Sequence, residues 1–346
     1  MLQKRSSDHL ARIAGPIARI VDLQQADGTI PWFENGPWDS WNHAECVMAL
    51  TVAGQFDAAR AGLDALRQLQ RADGGFLSEY GNALPMADHV SIARIKGDEV
   101  LDTNFSAYVG TAVEHFRRVC GDLAARAYWP MVRAAIEHVL TYQQDHGDIS
   151  WSAEAHGTAI DDSLLAGNAS ILSSLGHAIN LGDALGEDQP GWHVSHQKLR
   201  AALRGRPERF SRSGQDRGSH AMDWYYPVLA GIYDRHAGRA HLASQWAQFV
   251  DSGLGCRCVA DQPWITVAET CELVMAALRC GMEAEALTLL DWIEARRDAD
   301  GVFWMGWQFV EQIDWPAERP SWTQAAYVLA LDAVENISPA SKIFAN

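Results

Sequence analysis

The sequence lacks the long apolar segments, the positive charge and the strand pattern that identify several common classes of protein. No stretch of its 346 residues approaches the roughly 18 consecutive apolar residues that span a bilayer. Lys and Arg number 28 against 44 Asp and Glu, so the formal net charge is −16. A surface this negative repels phosphate backbones and anionic lipid. We therefore expect no nucleic-acid partner and no membrane insertion.

Cysteine is scarce, and the six cysteines form no recognisable metal or redox motif. Cys256 and Cys258 are separated by one residue, unlike the CxxC spacing of zinc knuckles and redox sites. Met1 to Gln25 alternates charged and apolar side chains and has no continuous apolar core, unlike a signal peptide. The sequence predicts free thiols in a reducing compartment, and the cytoplasm is the expected location.

Motifs for cofactors and metals are missing as well. The chain has no P-loop, no Rossmann glycine fingerprint and no D-D-x-x-D motif for diphosphate and magnesium. The histidines of the long connections lie on separate segments, and a lone histidine is more often a hydrogen-bonding residue than a ligand. We expect neither a metal nor another cofactor.

What the sequence does contain is helical periodicity along its whole length. We predict twelve helices, near residues 6–26, 39–54, 56–72, 103–119, 123–145, 162–185, 190–205, 223–236, 239–250, 266–280, 283–297 and 321–335. Short and long connections alternate, so antiparallel hairpins place every long connection at the same end of the molecule. Six hairpins that close into a ring give six inner and six outer helices. The prediction is an all-α (α/α)6 toroid that forms a single domain over residues 1–346.

A weak internal repeat supports the ring. Outer helices end in Gln24-Gln25-Ala26-Asp27-Gly28 with Trp32, in Gln70-Arg71-Ala72-Asp73-Gly74-Gly75-Phe76, in Gln144-Asp145-His146-Gly147 with Trp151, and in Arg297-Asp298-Ala299-Asp300-Gly301 with Phe303 and Trp304. The Asp-Gly pair turns the chain, and the aromatic side chain covers the exposed helix end. The glutamine amide can satisfy backbone groups at the junction between repeats.

These units resemble the QW-type repeats of the squalene–hopene cyclase and prenyltransferase superfamily of α/α toroids. The segments 102–108, 222–231 and 268–273 resemble bacterial prenyltransferase-like proteins, and the resemblance extends over most of the chain. Six-hairpin glycosidases share the ring, and the passage from Gly121-Asp122 to Trp129-Pro130 is similar to theirs. The resemblance implies the fold, which does not by itself determine the chemistry.

The segments expected at the mouth of the ring combine aromatic side chains with polar ones. Ten of the 14 tryptophans fall on the long connections or on the first turns of inner helices. Aromatic rings stack on sugar faces and stabilise carbocations, so we predict a small-molecule substrate that is either a carbohydrate or an isoprenoid. The side chains expected to contact it are Trp38, Trp41, Glu45, Asn104, Trp224, Tyr225, His220, Arg257, Trp264 and Trp322. Plugging the ends of the ring is the alternative role for the aromatic residues.

Six acidic residues are candidate catalytic groups, namely Asp39, Asp102, Asp161, Asp223, Glu269 and Glu272. The aspartates lie at or close to the starts of inner helices, where an N-cap is the alternative role. Glu45, Glu269 and Glu272 lie inside inner helices, and burial there would raise a carboxyl pKa into the range of a general acid. An ion pair between helices is the alternative for these glutamates.

One short motif favours isoprenoid chemistry. Ala159-Ile160-Asp161-Asp162-Ser163 resembles the D-x-D-D-T acid motif of class II terpene cyclases, with Ala159 in place of the first aspartate. The resemblance implies that Asp161 protonates a neutral isoprenoid. The rings of Trp38, Trp41, Trp224 and Tyr225 would then stabilise positive charge during cyclisation, isomerisation or hydration. This terpene cyclase-like activity is the main prediction.

Two alternatives remain at this point. The first is glycoside hydrolysis by paired carboxylates drawn from the same candidates, with Asn42, Asn104, His220 and Arg257 on the sugar hydroxyls. A carboxylate separation of about 5 Å implies retention of configuration, and one of about 6.5–9.5 Å implies inversion. The second is a non-catalytic binding scaffold. Polar residues on the inner helices argue against it, since an inert ring would fill its axis with apolar side chains.

Overall fold

The computed structural model describes residues 2–81, 100–154, 157–212 and 218–345. Thirteen α-helices make up most of these residues. In these ranges the helices are α1 (Leu2–Leu23), α2 (Ser40–Val52), α3 (Phe56–Leu69), α4 (Thr103–Cys120), α5 (Asp122–Arg126), α6 (Trp129–Leu140), α7 (Leu165–Leu185), α8 (Pro190–Gly205), α9 (Ala221–Leu229), α10 (Arg235–Phe249), α11 (Val267–Arg279), α12 (Glu283–Glu294) and α13 (Ser321–Glu335). None of them is long and apolar enough to cross a bilayer.

Six of these helices form the inner wall of a closed ring. In chain order they are α2, α4, α7, α9, α11 and α13, and each contacts the next. Helix α13 contacts α2, which closes the ring. The outer helices are α1, α3, α6, α8, α10 and α12, and each contacts at least one inner helix. The predicted all-α (α/α)6 toroid is confirmed.

Two predicted helices differ from the structure. The predicted helix 123–145 is divided into α5 and α6, because Trp129-Pro130 begins a new helix with proline in its first turn. The predicted helix 223–236 ends at Leu229, because Gly231 has a φ of 73° in the left-handed region that terminates helices.

Nine short strands lie on the long connections and form four small antiparallel sheets among the described residues. Three are pairs, namely β1 (Pro37–Trp38) with β2 (Tyr80–Gly81), β3 (Val100–Asp102) with β4 (Ser152–Glu154), and β5 (Val250–Asp251) with β6 (Gly255–Cys256). The fourth orders β7 (Trp264–Thr266), β8 (Gly306–Gln308) and β9 (Ile313–Asp314). Strands of two or three residues are too short to show the alternation by which sequence analysis detects strands.

The repeat at the ends of outer helices has one geometry that occurs four times. A side-chain nitrogen donates both to the carbonyl of the turn glycine and to a carbonyl of the next outer helix. The donors and their two acceptors are Gln24 with Gly28 and Ala58, Gln70 with Gly74 and Met131, Gln143 with Gly147 and Ser195, and Arg297 with Gly301 and Arg12. We call each of these a clasp. In the third unit the donor is Gln143, whereas the sequence pattern placed Gln144 there.

A second repeated contact fixes the chain after each turn to an inner helix. The fourth residue of five inner helices accepts a hydrogen bond from a backbone N–H of the preceding connection. The pairs are Ile30 with His43, Phe76 with Ser106, Ile149 with Asn168, Cys256 with Thr270, and Phe303 with Gln324, at N···acceptor distances of 2.8–3.2 Å. These contacts hold the connections against the starts of the inner helices, where the mouth of the ring lies.

The opposite end of the ring is closed by the segment that follows α13. Ile343 and Phe344 are each 6% exposed. Nε2 of His177 on α7 lies 3.1 Å from the Ile343 carbonyl oxygen, and Nη1 of Arg279 on α11 donates to the Phe344 carbonyl at 3.2 Å. The segment therefore blocks the axis at the level of the thirteenth residues of α7 and α11.

Candidate functional site

Equivalent positions of the six inner helices form a layer across the ring. The sixth residues of these helices are Glu45, Tyr108, Ser170, Tyr226, Glu272 and Ala326. All six long connections precede an inner helix, so these helices run in the same direction. With a rise of 1.5 Å per residue, the six positions lie about 8 Å below the helix starts. We call them the axial layer.

Contacts between opposite helices show that this layer faces the axis. The Trp41 ring on α2 packs edge-on against the Tyr226 ring on α9, with ring centroids 6.0 Å apart. Helices α2 and α9 lie opposite one another in the ring order. The Trp41 ring also lies 5.6 Å from the ring of Tyr108 on α4. The three rings therefore enclose the centre of the mouth.

Two buried glutamates complete this cluster, and each accepts hydrogen bonds from aromatic side chains. Oε1 of Glu45 accepts from Nε1 of Trp41 and from the hydroxyl of Tyr108, both at 3.2 Å. On the other side, the Glu272 carboxylate accepts from the Tyr226 hydroxyl at 2.8 Å.

The Tyr225 hydroxyl also donates to Glu272, so this carboxylate has two tyrosine donors. Within the described residues, neither glutamate has an arginine or lysine among its contacts, which argues against an ion pair between helices at these two positions.

The environments of the two glutamates separate their pKa values. Burial raises the pKa of Glu272 to about 7, while the hydrogen bonds from Tyr225 and Tyr226 act in the opposite direction. Burial and then the negative charge of Glu272 raise the pKa of Glu45 well above its usual range. The arrangement therefore favours the protonated form of Glu45 more strongly than that of Glu272.

Two further carboxyl groups lie nearer the mouth. Burial raises the pKa of Asp102 to about 7, although its Oδ1 caps α4 by accepting from the Phe105 N–H at 2.9 Å. Burial likewise raises the pKa of Glu269 to about 7, against a hydrogen bond from the Cys258 thiol. Both side chains are partly exposed, whereas Glu45 and Glu272 are only 7% exposed.

Two further predicted polar residues lie in the first turns of inner helices at the mouth. Oδ1 of Asp223, on α9, accepts from the N–H of Ala166 in the first turn of α7 at 3.0 Å. Asn104, in the first turn of α4, is 5% exposed, and its Oδ1 has no hydrogen-bond partner within the described structure. An unpaired buried amide oxygen is available to a ligand hydroxyl.

Asp39 has the N-cap role that was the alternative for the aspartates. Its Oδ1 accepts from the Asn42 N–H at 2.8 Å, and its Oδ2 accepts from Nδ2 of Asn42 and Nε1 of Trp32. The residue is fully buried, and burial raises its pKa to about 6. These donors occupy both oxygens, so Asp39 supports the local fold and has no surface to offer a substrate.

Asp161 does not lie with these carboxyl groups. Its side chain is 95% exposed, and its Oδ1 accepts from Nη2 of Arg212 at 2.8 Å. A proton donor to an alkene requires a desolvated carboxyl group, and neither solvent nor an arginine partner provides that environment. This placement argues against the role that the D-x-D-D-T resemblance implied.

The predicted aromatic contacts divide into two groups. Trp41 and Tyr225 belong to the cluster around the axial layer, and Trp322 in the first turn of α13 packs edge-on against Trp32 with centroids 5.5 Å apart. Trp224 instead stacks on Phe249 of the outer helix α10, with centroids 5.1 Å apart. It packs between inner and outer helices, so the prediction that it lines the pocket is wrong.

The remaining predicted residues lie on the rim. Trp38 is buried and stacks on Tyr80 across the β1–β2 pair, with centroids 4.5 Å apart. His220 immediately precedes α9. Arg257 donates to both oxygens of Asp251, so its charge is already paired.

Trp264 also lies on the rim. It begins β7, and its ring is T-shaped against Trp315 with centroids 5.0 Å apart.

Tyr108 and Tyr226 were not among the side chains expected to contact the substrate. A signal for them exists, because Tyr108 follows Asn104 by four residues and Tyr226 follows Asp223 by three. Those spacings put each tyrosine on the same helix face as a predicted site residue. As for metals, no three His, Cys, Asp or Glu side chains in the described ranges form a group that could hold an ion.

Comparison with known proteins decides between the two chemistries. No protein-family model matches the chain. A relative from Mycolicibacterium hassiacum, named MMP endo-(1,4)-3-O-methyl-alpha-D-mannosidase, is 40% identical over 326 residues, which cover 94% of this chain and 86% of the relative. The chain belongs to the family of this mannosidase. It is therefore an enzyme of the carbohydrate-active, glycosidase type.

Solved structures with similar folds agree on the architecture. A structure named Glycosidase Wild Type has a TM-score of 0.67 and 14% sequence identity. The matched region covers 95% of this chain and 98% of the glycosidase chain. A D-mannose isomerase has a TM-score of 0.69 and 12% sequence identity. The matched region covers 94% of this chain and 96% of the isomerase chain. At these identities the likeness concerns the fold alone.

The isoprenoid interpretation has no support from these findings, and the carbohydrate alternative takes its place. The resemblance to squalene–hopene cyclases identified the ring correctly, because Gln and Asp-Gly repeats reflect how outer helices join in a toroid. Aromatic residues at the mouth are common to both chemistries. The features used for the resemblance therefore carried information on architecture and little on the reaction.

Proposed function

We propose that the enzyme hydrolyses α-(1,4)-linked mannose chains that carry 3-O-methyl groups. The proposal extends the activity in the name of the mannosidase relative to this chain, on the basis of 40% identity over nearly its whole length. The cluster of Trp41, Tyr108 and Tyr226 suits such a substrate, since aromatic faces stack on the apolar faces of sugars. Methylation at O3 replaces a hydroxyl by an apolar group and increases that complementarity.

The observation that carries the mechanism is the pair of unequal glutamates in the axial layer. Glu45 has a strongly raised pKa and is the general acid that protonates the glycosidic oxygen. The Glu272 carboxylate accepts hydrogen bonds from two tyrosine hydroxyls, which favour its ionised form, and it acts on the anomeric carbon either by activating water or by direct attack. Asp102, Asp223, Glu269 and Asn104 lie nearer the mouth and bind hydroxyl groups of neighbouring sugar residues.

Amide substitution of each glutamate tests this assignment. We expect Glu45→Gln and Glu272→Gln to lower kcat by about 10²–10⁴-fold on a 3-O-methylated α-(1,4)-mannose oligosaccharide, because an amide neither donates the required proton nor serves as a base. Glu137→Gln is the matched control, since this exposed residue lies on the outer helix α6, outside the cluster. Circular dichroism of each variant checks that the helical ring is intact. Wild-type turnover by either folded site variant would remove that glutamate from the mechanism.

A further inference from the structure

A three-stranded sheet lies on the rim directly before the inner helix α11. Strand β7 ends at Thr266, directly before α11, and pairs with β8 so that Trp264 lies opposite Gln308. Residues 309–312 connect β8 to β9 beyond that pair. The connection therefore lies at the end of the sheet opposite the start of α11, and we call this end of the sheet the projection.

This projection concentrates exposed apolar side chains. Val310 is 65% exposed, Ile313 is 48% exposed and Trp315 is 38% exposed, and all three fall within six residues of sequence. Elsewhere in the described ranges, large exposed apolar residues occur on helices at the outside of the ring, namely Leu10, Val21, Phe56, Leu69, Leu123, Val194 and Leu287. Exposed apolar residues that are grouped mark interaction sites more often than scattered ones do.

The aromatic residues of the projection are held in place by polar contacts. Nε1 of Trp264 donates to the Trp315 carbonyl oxygen at 2.6 Å, and their rings meet edge to face. The Arg296 guanidinium lies 4.5 Å from the centroid of the Trp307 ring. A surface held in this way loses little conformational freedom when it binds a ligand. We call the set Trp264, Val310, Ile313 and Trp315 the rim ledge.

We propose that the rim ledge binds sugar residues of the substrate chain that extend outside the pocket. This inference rests on the proposed function, because it names a second contact area for the same methylated glycan. The ledge is joined to the pocket through Cys258. Its N–H donates to the Trp264 carbonyl at 3.3 Å, and its thiol donates to Glu269. A 3-O-methylated chain offers apolar groups along its length, and these match the exposed Val310, Ile313 and Trp315.

Charge favours a neutral glycan over a second copy of the protein as the occupant. The chain carries a formal charge of −16, and Glu311 and Asp314 flank the exposed apolar residues on the projection. Two such surfaces repel one another, whereas a neutral sugar chain is not repelled. The exposed apolar area is therefore best matched by an uncharged, partly apolar ligand.

The test compares substrates of two lengths. For Trp315→Ala and Val310→Ala we expect KM on the long methylated glycan to rise by about three- to tenfold, because an aromatic or aliphatic contact with the distal sugars is lost. We expect kcat to be unchanged, and both constants to be unchanged on the shortest oligosaccharide that is cleaved. Leu123→Ala is the control, since Leu123 is 90% exposed on α5, away from the mouth.

Binding measured without turnover separates this inference from the proposed function. Calorimetry with Glu272→Gln and the long glycan should show weaker binding when Trp315→Ala is added. If wild-type enzyme cleaves the glycan but the ledge variants bind and cleave both lengths as before, the ledge is not a binding surface. An equal rise in KM on the long and the short substrate would also overturn the inference. So would light scattering that shows a wild-type dimer and monomeric ledge variants. Failure of wild-type enzyme to bind or cleave any methylated mannoside would refute the proposed function, and with it the occupant named here.

Discussion

Glu45 and Glu272 occupy the same position of two different inner helices, yet their hydrogen-bond donors differ. Glu272 accepts from two tyrosine hydroxyls, whereas Glu45 accepts from one tyrosine and one indole N–H. Burial and the negative charge of Glu272 also raise the pKa of Glu45, so Glu45 keeps its proton to a higher pH than Glu272 does. Activity should therefore follow a bell-shaped pH profile, whose acidic limb reports Glu272 and whose alkaline limb reports Glu45.

Removing one donor from Glu272 should shift the acidic limb. The Tyr226 hydroxyl donates to the ionised form of Glu272 at 2.8 Å and lowers its pKa. In Tyr226→Phe that hydrogen bond is lost, so the pKa of Glu272 rises. We expect the acidic limb of kcat/KM to move to higher pH by about one unit, given the usual strength of a hydrogen bond to a charged group.

The same measurement on two other variants provides the controls. Tyr225→Phe removes the second donor and should shift the limb in the same direction. Tyr233→Phe alters a tyrosine that stacks on His241 between α9 and α10, so its profile should match wild type. If the acidic limb is unshifted in both Tyr225→Phe and Tyr226→Phe, the tyrosine hydroxyls do not control the pKa of Glu272.

At the scale of the helix pair, the four clasps explain how outer helices of unrelated sequence join in the same way. Nε2 of Gln70 donates to the Gly74 and Met131 carbonyls, both at 2.9 Å. Gly74 has a φ of 89°, and a Cβ there would lie 2.2 Å from the Ala134 carbonyl oxygen. The turn therefore approaches the backbone of α6 too closely for any residue other than glycine.

Replacing the clasp donor should destabilise the protein measurably. Gln70→Ala leaves two partly buried carbonyls without their donor, so we expect the free energy of unfolding to fall by about 1–3 kcal/mol in urea denaturation. Gln68→Ala on the same helix is the control, because Gln68 is exposed and should change stability by less than about 0.5 kcal/mol. Equal stability of the two variants would show that the clasp contributes nothing.

Helix periodicity and the repeat were sufficient to predict the helices, because both are local in sequence. The twelve predicted helices correspond to the observed ones apart from the division at Trp129-Pro130 and the early end of α9. Side-chain direction was predicted less well. Trp224 and Tyr225 are adjacent in sequence, and only the position of α10 decides that Trp224 packs outward while Tyr225 reaches Glu272.

At the scale of the whole molecule, the carboxyl groups around the axis make stability depend on pH. Burial raises the pKa of Asp39 to about 6, and those of Asp102, Glu269 and Glu272 to about 7. The folded protein therefore binds these protons more tightly than the unfolded chain does. The resulting stability is fully present below the unfolded pKa values near 4 and is lost as the pH rises through about 7.

Glu269→Gln should weaken that dependence. Its pKa rises from 4.5 to about 7 on folding, which corresponds to about 1–3 kcal/mol lost between pH 4 and pH 8. We expect the variant to lose less stability over that range than wild type, as measured by urea denaturation at several pH values. Glu311→Gln, on the exposed rim, should follow the wild-type curve. A steeper dependence in Glu269→Gln would contradict the raised pKa.

Which of the predicted carboxylates can form the site depends on contacts that exist only in the assembled ring. Carboxylates near the starts of inner helices were correctly expected at one end of the molecule, since every long connection lies there. Sequence could not decide which of them are already used by the fold. Asp39 is occupied by Trp32 and Asn42, and Asp161 by Arg212, and both sets of contacts depend on tertiary structure.

The join between α13 and the first two helices makes the two halves of the chain interdependent. Arg12 on α1 donates to Glu294 and Glu335, and the residues of the first pair are 282 positions apart in sequence. An open helical array can lose a terminal unit and keep the rest, because each unit touches only its neighbours. Here the inner wall is a closed ring, so it is incomplete until α13 contacts α2. The ribosome must therefore complete α13 before the enclosed cavity can form. A chain that ends before α13 would contain most of the helices but no enclosed site.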